Sequence, residues 1–168
     1  MAAIKFKGTP VETAGSLPAA GSTAPDFKLV AGDLSEASLE TFAGGTKILN
    51  IVPSLDTGVC QASARKFNAE AGNVPDAVIV NISADLPFAQ KRFCDSEKLD
   101  HIHNLSTFRS PEFGKVYGVT MTTGPLTGLL SRAVVVLNKD NKVVYVEHVP
   151  EITQEPDYAA ALEAARKA

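Results

Sequence analysis

A chain of 168 residues is long enough for one domain built around one core. Apolar residues make up 45% of it and charged residues 21%, the ordinary globular mixture, which excludes a disordered or membrane-embedded chain. The formal net charge of -3 provides no field to draw in nucleic acid or an anionic membrane surface, so neither is expected as a partner.

The N-terminal "MAAIKFKGTPVE" has no apolar h-region and no small-residue cleavage site, so a cytoplasmic location is expected. Within it "AIKFKG" and "PVET" read as two short strands about a turn, Ile4 and Phe6 alternating with Lys5 and Lys7. "FKLVA" is a further candidate strand and "LSEASLETFAG" a short helix or irregular connection. The pattern then changes. Lys47 to Pro53 ("KILNIVP") and Ala77 to Ser83 ("AVIVNIS") are β-branched, nearly continuous apolar runs, as expected of strands buried on both faces. Each leads into a helical stretch, Gly58 to about Ala71 and Leu86 to about Lys98, and such units impose parallel pairing. "AVVVLNKDNKVVYVEHV" reads as two strands about the polar turn Asn138 to Lys142, and a closing helix follows from Pro156. No repeat, low-complexity run or linker interrupts the chain, so residues 1–168 are expected to form a single domain. A βαβ half followed by a hairpin and a helix is the order of a thioredoxin-like α/β fold, here with an added N-terminal β-hairpin.

The chain has two cysteines, too few for a disulfide scaffold, so they are either inert core residues or redox groups. Cys60 lies beyond Pro53 at the carboxyl end of a central strand, where α/β sheets collect ligands. If a helix starts near Gly58, the sulfur sits in its first turn, where unpaired N–H groups and the positive end of the helix dipole favour an anion. Such placement lowers a thiol pKa from about 8.5 into a range of roughly 3.5 to 7.5. Thr57, three residues earlier, can turn its hydroxyl toward the sulfur or a bound oxygen, although a plain helix cap is the alternative. Pro53 removes one N–H and stiffens the chain where a pocket wall would stand. Arg132, at the mouth of the strand in "LSRAVVV", offers a permanently charged planar fork that can hydrogen-bond sulfur and oxygen together.

"PSLDTGVC" fits the Pro-x-x-x-Thr-x-x-Cys motif of peroxiredoxins. With "ISADLPFAQKRFC", "LSTFRSPEFGKVYGV" and "EITQEPDYAAALEA", the chain resembles the bacterial thiol peroxidases, atypical two-cysteine peroxiredoxins, over nearly its whole length. The resemblance implies that Cys60 is the peroxidatic cysteine, with Pro53, Thr57 and Arg132 at the other active-site positions. It also implies that Cys94 is the resolving cysteine, closing a Cys60–Cys94 disulfide within one subunit. A homodimer, a hydroperoxide substrate and thioredoxin as reductant follow from the same resemblance. No metal or organic cofactor is expected, because the thiol itself carries the electrons.

If Cys94 lies eight positions into its helix, it is roughly 12 Å down the axis from the active-site end. A disulfide requires Cα atoms within about 4.4 to 6.8 Å, so the two sulfurs are not expected to meet in the reduced fold, and local unwinding is expected after oxidation. The bridge would close a loop of roughly 34 residues, worth up to about 4 kcal/mol in the chain-entropy treatment.

Other readings compete. A general disulfide oxidoreductase, or thiol-disulfide relay, would want a C-x-x-C pair, which the chain lacks. A peroxide sensor would use the same Cys60 but pass its oxidation to a partner protein. His101 and His103 would point the same way on a strand, but two imidazoles without a third ligand read as exposed polar residues. Asp56 and Glu112 are candidates for the rim of the site or a subunit contact. "FGKVYGVTMTTGPLTG", with Tyr117 and Met121, reads as a loop-like region suited to a dimer surface. There is no Tyr-Phe C-terminal extension, from which resistance to sulfinic acid formation is expected.

Overall fold

The computed structural model describes residues 3–168. Ile4–Phe6 (β1) and Thr9–Val11 (β2) form an antiparallel hairpin of their own. Its two-residue turn places Lys7 at φ 51° and Gly8 at φ 82°, the left-handed pair that a tight hairpin turn demands and that glycine adopts without steric cost. Leu29–Ala31 (β3) and Glu36–Ala37 (β4) follow. Thr46–Ile51 (β5), helix Gly58–Glu70 (α1), Ala77–Ser83 (β6), helix Pro87–Glu97 (α2) and Ile102–Ser106 (β7) form the alternating half. A short helix, Glu112–Val116 (α3), a hairpin of Ala133–Leu137 (β8) and Val143–His148 (β9), and helix Tyr158–Lys167 (α4) complete the chain.

Seven strands make one sheet in the order β4-β3-β7-β6-β5-β8-β9. β5, β6 and β7 run parallel, while β8 pairs antiparallel with both β5 and β9. The continuous apolar runs of β5 and β6 arise because both faces are covered. Ile48, Ile79, Val134 and Val136 pack with Phe67 of α1, Phe93 of α2 and Leu162 of α4. Leu49, Ile51, Val80, Ile82 and Val135 pack on the other side with Phe27, Phe113 of α3 and Tyr117.

The α/β fold with its added N-terminal hairpin is as expected, and α1 and α2 begin and end within a residue of their expected limits. Three local readings change. The segment expected as one helix or connection is split into β4 and a 3-10 turn, Leu39–Phe42, closed by a reciprocal Ser38/Thr41 capping box. A third parallel strand, β7, extends the sheet beyond β6. Tyr117 and Met121 provide no dimer surface: both are fully buried, and the Tyr117 hydroxyl donates to the Pro25 carbonyl (2.7 Å).

The hairpin is fastened by one carboxylate. Glu151 accepts hydrogen bonds from the backbone N–H of Lys7 and Gly8 (3.0 Å each) and from the Thr153 N–H and hydroxyl. Ile4 and Val11 pack against Met121 and the neighbouring Ile152, so the hairpin bears on the segment that follows β9. The backbone donors, Gly8 foremost, depress the Glu151 pKa from 4.5 to about 2. A depressed carboxylate adds stability that is complete above its unfolded pKa and disappears as pH falls through the folded one. The Tm difference between wild type and Glu151→Gln is therefore expected to be largest near neutral pH and to shrink as pH falls from about 4.5 toward about 2. Thermal melts of the two proteins across that window check it.

Candidate active site

β5 leads into Val52 and Pro53, both buried, and the chain then turns through Ser54–Asp56. Asp85, just past the end of β6, organises that turn. Its carboxylate accepts from the Ser54 hydroxyl, the Leu55 N–H and the Ser83 hydroxyl, each at 2.7 Å. The Ser54 hydroxyl in turn accepts from the Asp56 N–H (3.1 Å), and the Ser54 carbonyl accepts from both the N–H and the hydroxyl of Thr57. Thr57 stands at the N-cap of α1 with extended backbone, but its hydroxyl does not cap the helix and is engaged with Ser54 at 3.1 Å.

Cys60 is thus the third residue of α1. The first intrahelical bond is donated by Gln61 to the Thr57 carbonyl, so the N–H groups of Gly58, Val59 and Cys60 have no carbonyl partner within the helix. The side chain of Cys60 is fully buried. Against its sulfur lies Arg132 Nη2 at 3.2 Å. Arg132 immediately precedes β8, and the β5–β8 register sets Ala133 opposite Ile51, which brings the arginine beside the end of β5. Its Nε donates to the Ile152 carbonyl (2.8 Å), while Nη1, in a residue only 2% exposed, has no partner among the described residues. Tyr158 closes the cluster from α4, edge-on to Phe67 with ring centroids 5.2 Å apart. Burial, with the Glu155 acceptor next in weight, raises its phenol well above the usual range.

Cys94 sits on α2, in the last turn, partly buried against the same apolar cluster as Cys60. Its sulfur accepts a hydrogen bond from Asn104 Nδ2 of β7 at 2.7 Å. Burial pushes the Cys94 thiol up, the Asn104 donor pulls it part of the way back, and the nearby carboxylates of Asp95 and Asp100 add to the rise. Both thiols are free.

Cys60 and Arg132 are therefore in contact, Thr57 occupies the N-cap position of the same helix without a side-chain capping bond, Pro53 follows the strand that leads to it, and Cys94 stands on a separate helix. Asp56 and Glu112 are exposed, as are His101 and His103, the latter edge-on to Phe42 on β7. Sequence reasoning missed Asp85, Asn104 and Tyr158. Asp85 carried a signal, an acidic residue just after a central strand facing a loop rich in donors. Asn104 carried none, because its partner is fixed only by the packing of α2 on β7.

The match to known proteins follows the same lines. Residues 19–162 match the Redoxin family model. The chain is 49% identical over 164 residues to the thiol peroxidases of Mycobacterium bovis and Mycobacterium tuberculosis, covering 98% of this chain and 98% of theirs. Among solved structures, it superposes on a peroxiredoxin-like protein from Aquifex aeolicus with TM-score 0.90 and 38% identity, over 98% of this chain and 96% of that one. A thiol peroxidase from Chromobacterium violaceum gives TM-score 0.91 at 26% identity, over 98% and 95%. The chain belongs to the Redoxin family, as a peroxiredoxin of the thiol peroxidase group.

Proposed function

We propose that the chain, acting as one unit over residues 1–168, reduces hydrogen peroxide and organic hydroperoxides with Cys60 as the attacking thiolate. The sulfur attacks the terminal oxygen of ROOH; the O–O bond breaks as the S–O bond forms. Cys60 becomes a sulfenic acid, and the departing alkoxide takes up a proton and leaves as ROH. Negative charge spreads in the transition state from sulfur onto two oxygens, so donors already aimed at that place lower the barrier. The observation that carries this reading is the Arg132 fork: one nitrogen on the Cys60 sulfur, one on a fixed carbonyl, and a third buried without a partner, available to an oxygen next to that sulfur.

In the second step the Cys94 thiol condenses with the sulfenic acid to give the Cys60–Cys94 disulfide and water. Cys60 is fully buried in the first turn of α1 and Cys94 is hydrogen-bonded to Asn104 from α2, and in this reading both segments unwind locally so that the sulfurs meet. A dithiol, thioredoxin in this reading, then supplies two electrons and two protons to restore both thiols. A homodimer fits the exposed Leu86, Phe88 and Phe108, apolar side chains that follow the ends of β6 and β7 at the same end of the sheet as the β5–α1 turn leading to Cys60, and the cytoplasm is the compartment in this reading. Among the described residues no helix is long and apolar enough to cross a membrane.

Stopped-flow oxidation of the reduced protein by cumene hydroperoxide tests the reading. Peroxide consumption is expected to vanish in Cys60→Ser, to persist for a single turnover in Cys94→Ser, and to slow by about 10²–10³ in Arg132→Met, the usual cost of one transition-state donor. Equal rates in all four proteins would contradict it. Gly58 opens α1, and a Cβ added there meets nothing within 4 Å. Gly58→Ala is expected to firm the first turn by about 0.5–1 kcal/mol, and so to slow disulfide formation two- to fivefold relative to peroxide consumption, read by quenched-flow thiol trapping.

A further inference from the structure

α2 is docked on the sheet in an unusual way. Only Pro87, Gln90 and Phe93 of its eleven residues are buried, and one of those is polar. Gln90 Nε2 donates to the Ser83 hydroxyl and to the Leu105 carbonyl, both at 3.0 Å. Near the other end of the helix the inward contact is the Asn104–Cys94 bond. Outside, Arg65 of α1 grips Glu97 through two N–H groups at 2.8 and 3.0 Å. Polar contacts therefore carry much of the attachment of the segment around Cys94.

Asn104 also ends a row. Asn50, Asn81 and Asn104 are register partners on the three adjacent parallel strands β5, β6 and β7. Asn50 Nδ2 donates to Asn81 Oδ1 (2.9 Å) and to the Ser63 hydroxyl of α1 (3.2 Å), and Ser63 donates to the Cys60 carbonyl (2.9 Å). Asn81 Nδ2 and Asn104 Oδ1, a donor and an acceptor on neighbouring strands, are buried without a hydrogen-bond partner among the described residues. Asn104 is held on the sheet by the pairing of β7 with β6, and its side-chain N–H is presented to the sulfur of Cys94.

We propose that Asn104 is a positioning residue of the resolving step, a latch that holds Cys94 in folded α2 and sets how fast the Cys60 sulfenic acid is converted to the disulfide. The inference rests on the assignment of Cys94 as resolving cysteine. The bond exists only while α2 is folded, so it stabilises the arrangement in which Cys94 is kept from Cys60. It must break before Cys94 can attack the Cys60 sulfur and release water. Removing it shifts the equilibrium toward the unwound helix from which attack occurs, by the weight of one net hydrogen bond, roughly three- to tenfold. A faster resolving step also leaves less time for a second peroxide to oxidise the sulfenic acid to sulfinic acid.

The test compares wild type with Asn104→Val and Asn104→Ser, both of which lack the amide; two variants guard against one failing to fold. Each reduced protein is mixed with excess cumene hydroperoxide, and Cys60 oxidation, disulfide formation and sulfinic acid are followed in the same quenched samples by mass spectrometry. Disulfide formation is expected to rise roughly three- to tenfold and the sulfinic fraction to fall. In a Cys60→Ser background, the pH profile of Cys94 alkylation is expected to move upward on loss of the amide, a shift that a purely structural role would not produce. Unchanged or slower disulfide formation with normal Cys60 oxidation would overturn the latch while leaving the peroxidase reading intact. Absence of any Cys60–Cys94 disulfide in wild type would overturn both the latch and the assignment of Cys94 as resolving cysteine.

Discussion

The contact on which the rest of the structure depends is that between a buried guanidinium and a buried sulfur. A cation placed in a protein core is costly unless its donors are met, and stripping a partner from a buried charge costs about 3–5 kcal/mol. Arg132 meets that demand at Nε and Nη2 with two elements brought from different parts of the chain, the carbonyl of Ile152 and the sulfur of Cys60, and leaves Nη1 unpartnered beside them. The segment after β9 supplies the first, and the antiparallel register of β5 and β8 fixes the second. Ile152 is itself packed under the N-terminal hairpin, whose turn is tied to Glu151. The hairpin is therefore part of what aims the arginine, although it stands outside the main sheet.

The two cysteines occupy opposite mechanical settings. Cys60 lies in the first turn of α1, backed by Ala64 and Phe67 and the apolar strands beneath. Cys94 lies on a helix that buries little apolar surface and is attached by amide groups and an exposed ion pair. Attack on a peroxide calls for a fixed sulfur and fixed donors, whereas joining the two sulfurs calls for movement. The division of apolar packing between α1 and α2 places the rigidity where the first step needs it and the lower local stability where the second does, in keeping with the general finding that moving segments are the weakly packed ones.

Much of this was legible in the sequence because it is local. The β-branched runs at Ile48 and Ile79, the helix start at Gly58, the spacing from Pro53 to Cys60 and the polar turn after Leu137 each declare themselves within a few residues. What escaped depends on contacts across the fold. The hydroxyl of Thr57, read in the sequence as reaching the sulfur or a bound oxygen or as a helix cap, donates to the Ser54 carbonyl in the Asp85-bound turn, a contact that depends on how the end of β6 meets that turn. Tyr117 and Met121 read as surface in a glycine-rich stretch, but Gly118, at φ 71°, lies so close to the Ser16 backbone that no side chain fits there, and both residues are buried while Thr122–Pro125 stay exposed. The asparagine row could not be foreseen, since three asparagines at positions 50, 81 and 104 become neighbours only through strand register.

The most direct test of the central claim is the intact mass of the reduced protein after one equivalent of hydroperoxide. The account predicts that Cys94→Ser gains a single oxygen atom, located at Cys60, while wild type gains none and instead loses two hydrogens in a bond between Cys60 and Cys94. Unchanged masses in both proteins, or oxygen carried at Cys94 in wild type, would contradict it.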